Sequence, residues 1–226
     1  MQACGSAHAK DRMTSGRIIP FNPLDKRHLG ESVGQAMLRQ LVVPMTDLVR
    51  FDGAGIYAIY YQGDFPAYAA LAEKNQKNNF IAPIYIGKAV PKGTRKGGDL
   101  DAEPGKVLSN RLMQHSRSIE EAINLDIADF HCRYLIVDDI WIPLGESLLI
   151  AKFDPLWNKL IDGFGNHDPG KGRHAGLRPR WDVLHPGRSW AARCQSREET
   201  ADQIITEVKD YLRNNPPPDD SAIITG

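Results

Sequence analysis

The sequence predicts an α+β domain: a small, three-stranded, mainly antiparallel sheet flanked by helices. Three observations point there. Residues 54–61, 84–88 and 130–137 are short β-branched and aromatic runs, the first bounded by Asp52-Gly53 and Gln62-Gly63, as strands are. Residues 107–124 place Leu108, Leu112, Ile119 and Ile123 at helical spacing. No composition break or internal repeat divides the chain. A single domain over 1–226 follows, with an N-terminal arm and helix at 1–50. A core spans 51–160 with an insertion at 62–82, and a long loop and C-terminal helix span 161–226.

Taken in order, residues 1–27 carry no period and read as an arm. Residues 31–42 put Val33, Met37, Leu38 and Leu41 at helical spacing. After the 54–61 strand, the Ala-rich stretch 66–78 reads as a short helix, with Asp64 as a candidate cap. The 84–88 strand leads into 90–105, whose Gly, Lys and Pro content makes it a loop. Beyond the 107–124 helix and the 130–137 strand, residues 144–153 form an apolar helix that Asp154-Pro155 ends. Residues 163–193 are rich in Gly, Pro, Arg, His and Trp and poor in periodicity. Ser196 and Glu199 have the spacing of a capping box that opens a helix carrying Ile204, Ile205, Val208 and Leu212. Three prolines then begin an extended tail.

Composition excludes some classes. The 226 residues are 42% hydrophobic and 25% charged, ordinary for a globular domain. No run approaches the roughly 18 apolar residues of a membrane span, and residues 1–10 lack the apolar stretch of a secretory signal. Cys4, Cys132 and Cys194 are odd in number, widely spaced and without a CxxC, which disfavours a disulfide framework or cysteine zinc site and suits a reducing cytoplasm. A net charge of zero argues against a protein that simply coats DNA. The charge is nevertheless uneven: residues 87–117 and 163–197 are basic and 120–154 acidic. That pattern suits a nucleic-acid groove over a carboxylate, the plainer alternative being solvated loops.

Five residues suggest chemistry. Arg111 and His115, four apart, share one helix face; the bland alternative is a surface arginine beside a half-buried histidine. Glu146 falls in the first turn of the 144–153 helix, where a carboxylate gains from the helix dipole. Alternatively it is a lone ligand for a hard cation, which keeps most of its waters. Tyr57 and Tyr85 lie in strands and could simply be core residues. Yet phosphodiester hydrolysis needs a base, a stabiliser of developing charge and help for the leaving oxygen. A tyrosine whose pKa is lowered by Arg111 and a divalent cation could meet the first need. Together Tyr57, Tyr85, Arg111, His115 and Glu146 are chemically complete for metal-assisted hydrolysis.

Gly55-Ile56-Tyr57, then Tyr85-Ile86-Gly87, then Arg111 with His115 four later, then Glu146 and Asn158, resembles the GIY-YIG nuclease family in order and spacing. The histidine after the arginine resembles the branch containing type II restriction endonucleases. The resemblance implies that Tyr57, Tyr85, Arg111, His115, Glu146 and Asn158 form the catalytic site, with Glu146 holding Mg2+, or Mn2+ in its place. The interval between the two tripeptides is about twice the usual, the excess being the 62–82 insertion, which suggests a face for DNA or for a second subunit.

Residues 165–171 fit GxxxxGK, but Gly172 follows where a phosphate loop has Ser or Thr. His167, Asp168 and His174 lack the spacing of a zinc site. Arginine pairs bidentately with guanine, so Arg173, Arg178, Arg180 and Arg188, with Lys171, read as DNA-contacting, as do Lys88, Lys92, Arg95 and Lys96 on the other basic zone. By the same resemblance the 161–226 region is a DNA-recognition segment of enzymes cutting GC-rich palindromes of the CCGCGG kind, which implies a two-fold homodimer on double-stranded DNA, with no membrane, in a prokaryotic cytoplasm. Against this stand a structural loop carrying Trp181 and Trp190 onto the core, a structure-specific or repair nuclease of the same family, and a non-catalytic DNA-binding protein.

Overall fold

Strand β2 (Gly55–Tyr61) is the axis of the fold, and all seven of its residues are buried. The run GIYAIYY is apolar or aromatic on both faces, so it needs cover on both. In this computed structural model, which describes residues 25–91, 103–168, 170 and 175–217, helices supply that cover. β2 pairs antiparallel with β3 (Pro83–Ala89) on one side and β4 (Phe130–Ile136) on the other. A two-residue strand, β1 (Val43–Pro44), pairs with β4, so the sheet has four strands in the order β1-β4-β2-β3. The sequence predicts three because two residues ending in proline carry no alternation.

Ile56, Ala58, Tyr60 and Ile86 face α1 (Lys26–Leu38) and α4 (Ile142–Phe153), packing with Met37, Ile142 and Leu149. Tyr57, Ile59 and Tyr61 face the opposite layer. That layer holds α3 (Val107–Glu120), α5 (Leu156–Lys159), α6 (Arg180–Leu184) and α7 (Ala201–Asn214), with Leu108, Leu112, Trp157, Trp181, Ile204 and Val208 buried against the sheet. Each such large side chain contributes about 1.5–3 kcal/mol on burial. α3 ends at Glu120, so Ile123 leaves the predicted stripe and is 80% exposed.

The insertion between β2 and β3 contains a 3₁₀ turn (Pro66–Tyr68) and α2 (Ala69–Asn75). It is built into the core rather than turned outward. Ala67, Tyr68, Leu71 and Ala72 are buried, and α7 packs on the 3₁₀ turn. The buried Asn75 amide donates to the Tyr61 and Ala82 carbonyls and accepts from the Ala82 amide, joining the end of β2 to the start of β3. The insertion's outer face, with Ala69, Ala70 and Glu73, stays exposed. No side chain caps the turn, so Asp64 is not the cap.

Two helix starts also differ from expectation. α4 begins at Ile142, with Pro143 in its first turn, so Glu146 lies beyond that turn and the dipole explanation for it loses force. α7 opens on a capping box between Thr200 and Gln203 rather than Ser196 and Glu199. Both pairs have the right spacing, but Glu199 is held by Arg197 (3.0 Å) and Arg180 (3.2 Å).

Candidate active site

The two glycines of the paired tripeptides are there because backbone and ring approach closely. A Cβ on Gly55 would stand 1.9 Å from the Leu135 carbonyl oxygen of β4. A Cβ on Gly87 would stand 2.3 Å from the Tyr57 hydroxyl. Tyr57 and Gly87 are register partners, as are Ile59 and Tyr85, so Tyr57 lies over Gly87 and Tyr85 is on the same face.

α3 brings Arg111 and His115 over that face. His115 is buried, and its Nε2 lies 2.6 Å from the Tyr57 hydroxyl. Its ring sits 5.4 Å from the Tyr57 ring and 5.3 Å from the Tyr85 ring. The Arg111 guanidinium is close enough for its positive charge to pull both phenols down. With the imidazole proton on Nδ1, the Tyr57 hydroxyl donates to His115 Nε2.

Burial decides the protonation states. It pushes the Tyr57 phenol up strongly and Tyr85 up as well, more than Arg111 pulls them down. Burial, then the charges of Arg111, His167 and Arg188, hold His115 well below the usual histidine value. Burial thus favours neutral tyrosine beside neutral histidine, and the pull of Arg111 alone does not overcome it. The arrangement can carry a proton from Tyr57 to His115.

β3 is an edge strand, and the site wraps around it. Asn158 on α5 lies along its open side: Oδ1 accepts from Ile86 N and Nδ2 donates to Ile86 O, each at 2.8 Å. These are the bonds a fifth strand would make, so Asn158 holds the backbone between Tyr85 and Gly87. From the α4 layer, Glu146 accepts from the Lys88 ammonium at 2.5 Å. Its charge raises the pKa of both tyrosines, so the carboxylate and the phenols share one electrostatic environment. Among the described residues no group of three or more His, Cys, Asp or Glu could hold a metal ion. A lone carboxylate that already faces a cation suits a hydrated hard ion that brings most of its own ligands.

The residues expected to contact DNA fare differently. Lys92, Arg95, Lys96, Lys171 and Arg173 lie outside the described residues. Lys88 is paired with Glu146. Three arginines are committed internally, against expectation, because the segment folds onto the core. Arg178 donates to the Ala191 and Ala192 carbonyls. Arg180 bonds the Leu160 carbonyl and pairs with Glu199 and Glu207. Arg188, 2% exposed, is bound bidentately by Asp182. Trp181 is fully buried, as the structural alternative requires, with Trp190 partly so.

The sequence reading missed part of the site. Phe164 stacks on His115, ring centroids 4.5 Å apart, and Gly165 O accepts from Arg111 Nη2 at 2.9 Å. His167 contacts Arg111 Nη1. The Gly-Phe-Gly run from residue 163 was the available signal, a glycine-flanked aromatic soon after Asn158.

No curated protein matches the chain significantly. The model of the Eco29kI GIY-YIG domain matches residues 49–212, from just before β2 into the last turn of α7. That is well over half the sequence, and it takes in both tyrosines, Arg111, His115, Glu146, Asn158 and the segment that covers them. The chain belongs to the Eco29kI GIY-YIG family, and its domain is a restriction-type nuclease.

Proposed function

We propose that the protein is a type II restriction endonuclease, a Mg2+-dependent homodimer that cuts both strands of double-stranded DNA at a GC-rich palindrome of the CCGCGG kind. Such an enzyme works in the prokaryotic cytoplasm; no described helix is long and apolar enough to cross a membrane. The observation that carries the reading is the 2.6 Å contact between Tyr57 and the buried His115, with the Arg111 charge acting on both phenols.

Water attacks phosphorus and forms a new P–O bond as the bond to the 3′-oxygen breaks. As the water loses its proton to Tyr57, Tyr57 passes its own to Nε2 of His115. The imidazole is the better terminal base of the two at neutral pH. Arg111 and Tyr85 hold the non-bridging oxygens and stabilise the charge that builds on them. Asn158 keeps β3 in register beneath Tyr85. Glu146 would hold Mg2+, or Mn2+ in its place, and the ion would neutralise charge on the phosphate and the leaving oxygen. Lys88, released from Glu146, becomes available to DNA phosphate. Lys92, Arg95, Lys96, Lys171 and Arg173 remain the proposed DNA contacts of the two basic zones.

The test is cleavage of a GC-rich plasmid with Mg2+, with EDTA, and by Glu146→Ala. Discrete fragments that disappear in both controls are expected. Random nicking, or cutting only at branched DNA, would transfer the assignment to the repair branch of the family. Full activity in Glu146→Ala would remove the metal from Glu146.

A further inference from the structure

Residues 163–167 meet the site at three points. The Phe164 ring lies nearly parallel to His115, 18° between planes, and edge-on to Tyr85 at 5.0 Å. Gly165 gives its carbonyl to Arg111, and His167 contacts the same guanidinium. A side chain at Gly165 would be tight: its Cβ would be 3.0 Å from both the Tyr85 hydroxyl and Arg111 Nη2, which would have to give by a few tenths of an ångström.

The mooring of this segment is as specific as its contacts. Arg188 makes five hydrogen bonds, matching its five N–H donors. Two go to the Asp182 carboxylate, at 2.6 and 2.5 Å. The others go to the carbonyls of Gly163 (2.9 Å), Phe164 (3.2 Å) and Asn166 (3.2 Å). The guanidinium lies 4.5 Å from the Trp181 ring and 4.8 Å from the Trp190 ring. A buried ion pair adds little stability over a well-packed apolar pair. What this one adds is conformation, since three carbonyls of one short segment must converge on one planar cation.

We propose that residues 163–167, moored by Arg188 and Asp182, form the second wall of the catalytic centre and position Arg111 and His115 for the reaction. The proposal rests on the nuclease reading for its catalytic consequence. Arg188 thus acts on the chemistry through Phe164 and Gly165, as a positioning residue. Catalysis is sensitive to such support, since a displacement of about 1 Å can cost about a hundredfold in rate.

Gly165→Ala is the decisive variant, because it removes no core contact and presses on the Arg111 and Tyr85 ends alone. Single-turnover cleavage is expected to fall about tenfold or more, with DNA affinity within twofold of wild type and Tm within about 2 °C. Arg188→Lys keeps the charge and loses the planar fork; it is expected to slow cleavage in the same way with affinity retained. Cleavage by folded Gly165→Ala within twofold of wild type would overturn the proposal. So would a parallel loss of affinity and rate, which is the mark of a DNA-contacting loop. Histidine ring NMR gives a readout independent of cleavage. In wild type, His115 is expected as a single Nδ1–H tautomer shifted by the Phe164 ring current, and Phe164→Leu removes that shift. Unchanged His115 signals in Phe164→Leu would overturn the proposal whether or not the protein cuts DNA, whereas a wild type that cuts no DNA but shows the shift would sink the nuclease reading alone.

Discussion

The molecule contains the same pair twice. Tyr57 meets His115 Nε2 at 2.6 Å, and Tyr68 meets His185 Nε2 at 2.6 Å. All four residues are buried, burial raises both phenols, and it lowers both imidazoles. The second pair is closed. The Tyr68 oxygen accepts from Trp157 Nε1 at 3.0 Å, and His185 Nδ1 donates to Asn124 Oδ1 at 3.0 Å. Asn124 Nδ2 in turn donates to the Leu184 carbonyl, which fixes the amide and hence the tautomer. Around the first pair are the charges of Arg111 and Glu146; no charged side chain contributes to the shift at Tyr68. A tyrosine–histidine contact is therefore not a catalytic signature by itself. What sets the first pair apart is the charge of Arg111 acting on its oxygen, and what marks the second as structural is that every polar atom is already satisfied by a neutral neighbour.

The hydroxyl deletions separate the two most sharply. Tyr57→Phe is expected to lower single-turnover cleavage about 10²–10⁴-fold, the usual contribution of positioned proton transfer. Tyr68→Phe is expected to leave the rate within about twofold. Stability runs the other way. Tyr68→Phe strands both Trp157 Nε1 and His185 Nε2, at about 1–3 kcal/mol for each buried group left unpaired, whereas Tyr57→Phe strands only His115 Nε2. Urea unfolding of both variants beside their cleavage rates checks this. A slow Tyr68→Phe with native stability would abolish the distinction.

Removing the cation from the open pair makes it resemble the closed one. Arg111→Ala is expected to cost about 10²–10³-fold in cleavage, as loss of a charge stabiliser does, with much less loss of DNA affinity in a gel shift. A fall in affinity parallel to the fall in rate would make Arg111 a DNA anchor. The closed pair's counterpart is Asn124→Ala, which removes the acceptor of His185 Nδ1 and the donor to Leu184 O. It is expected to cost about 1–3 kcal/mol in stability, with cleavage unchanged.

The difference between the pairs also marks where sequence reading stops. Strands β2 and β3 were readable because apolar runs between Gly and Asp have few other structures open to them. Tyr57, Arg111, His115 and Glu146 were readable as an ordered set. Their protonation was not, since charges can be seen in a sequence and burial cannot, and here burial outweighs Arg111 at both phenols. The closed pair was invisible: Tyr68 and His185 are 117 positions apart and belong to no motif. For the same reason the arginine-rich segment reads, from sequence, as reaching outward. Nothing local reveals that Arg188 has Asp182 and three carbonyls around it, or that Glu146 is met by Lys88 from another element.

The smallest expected effect concerns protons at equilibrium. Burial holds His185 down at about 3, against about 6.5 in the unfolded chain. Above pH 6.5 both states carry a neutral ring, and His185 has no effect on stability. Between 6.5 and 3 the unfolded chain binds a proton that the folded one refuses, so stability falls as pH falls, by about 1.4 kcal/mol per unit, and levels off below 3. His115, depressed for a related reason, begins to add its own slope at the same upper end. His185→Gln keeps a donor and an acceptor without titrating. It is expected to reduce the pH slope of unfolding free energy by one proton between pH 6 and 4, while the cleavage profile stays as in wild type. The ring signals of His185 and His115 should stay flat from pH 8 to 5.5. A His185 signal that titrates near 6.5 would show that the closed pair admits water, and closure would then no longer separate it from the active one.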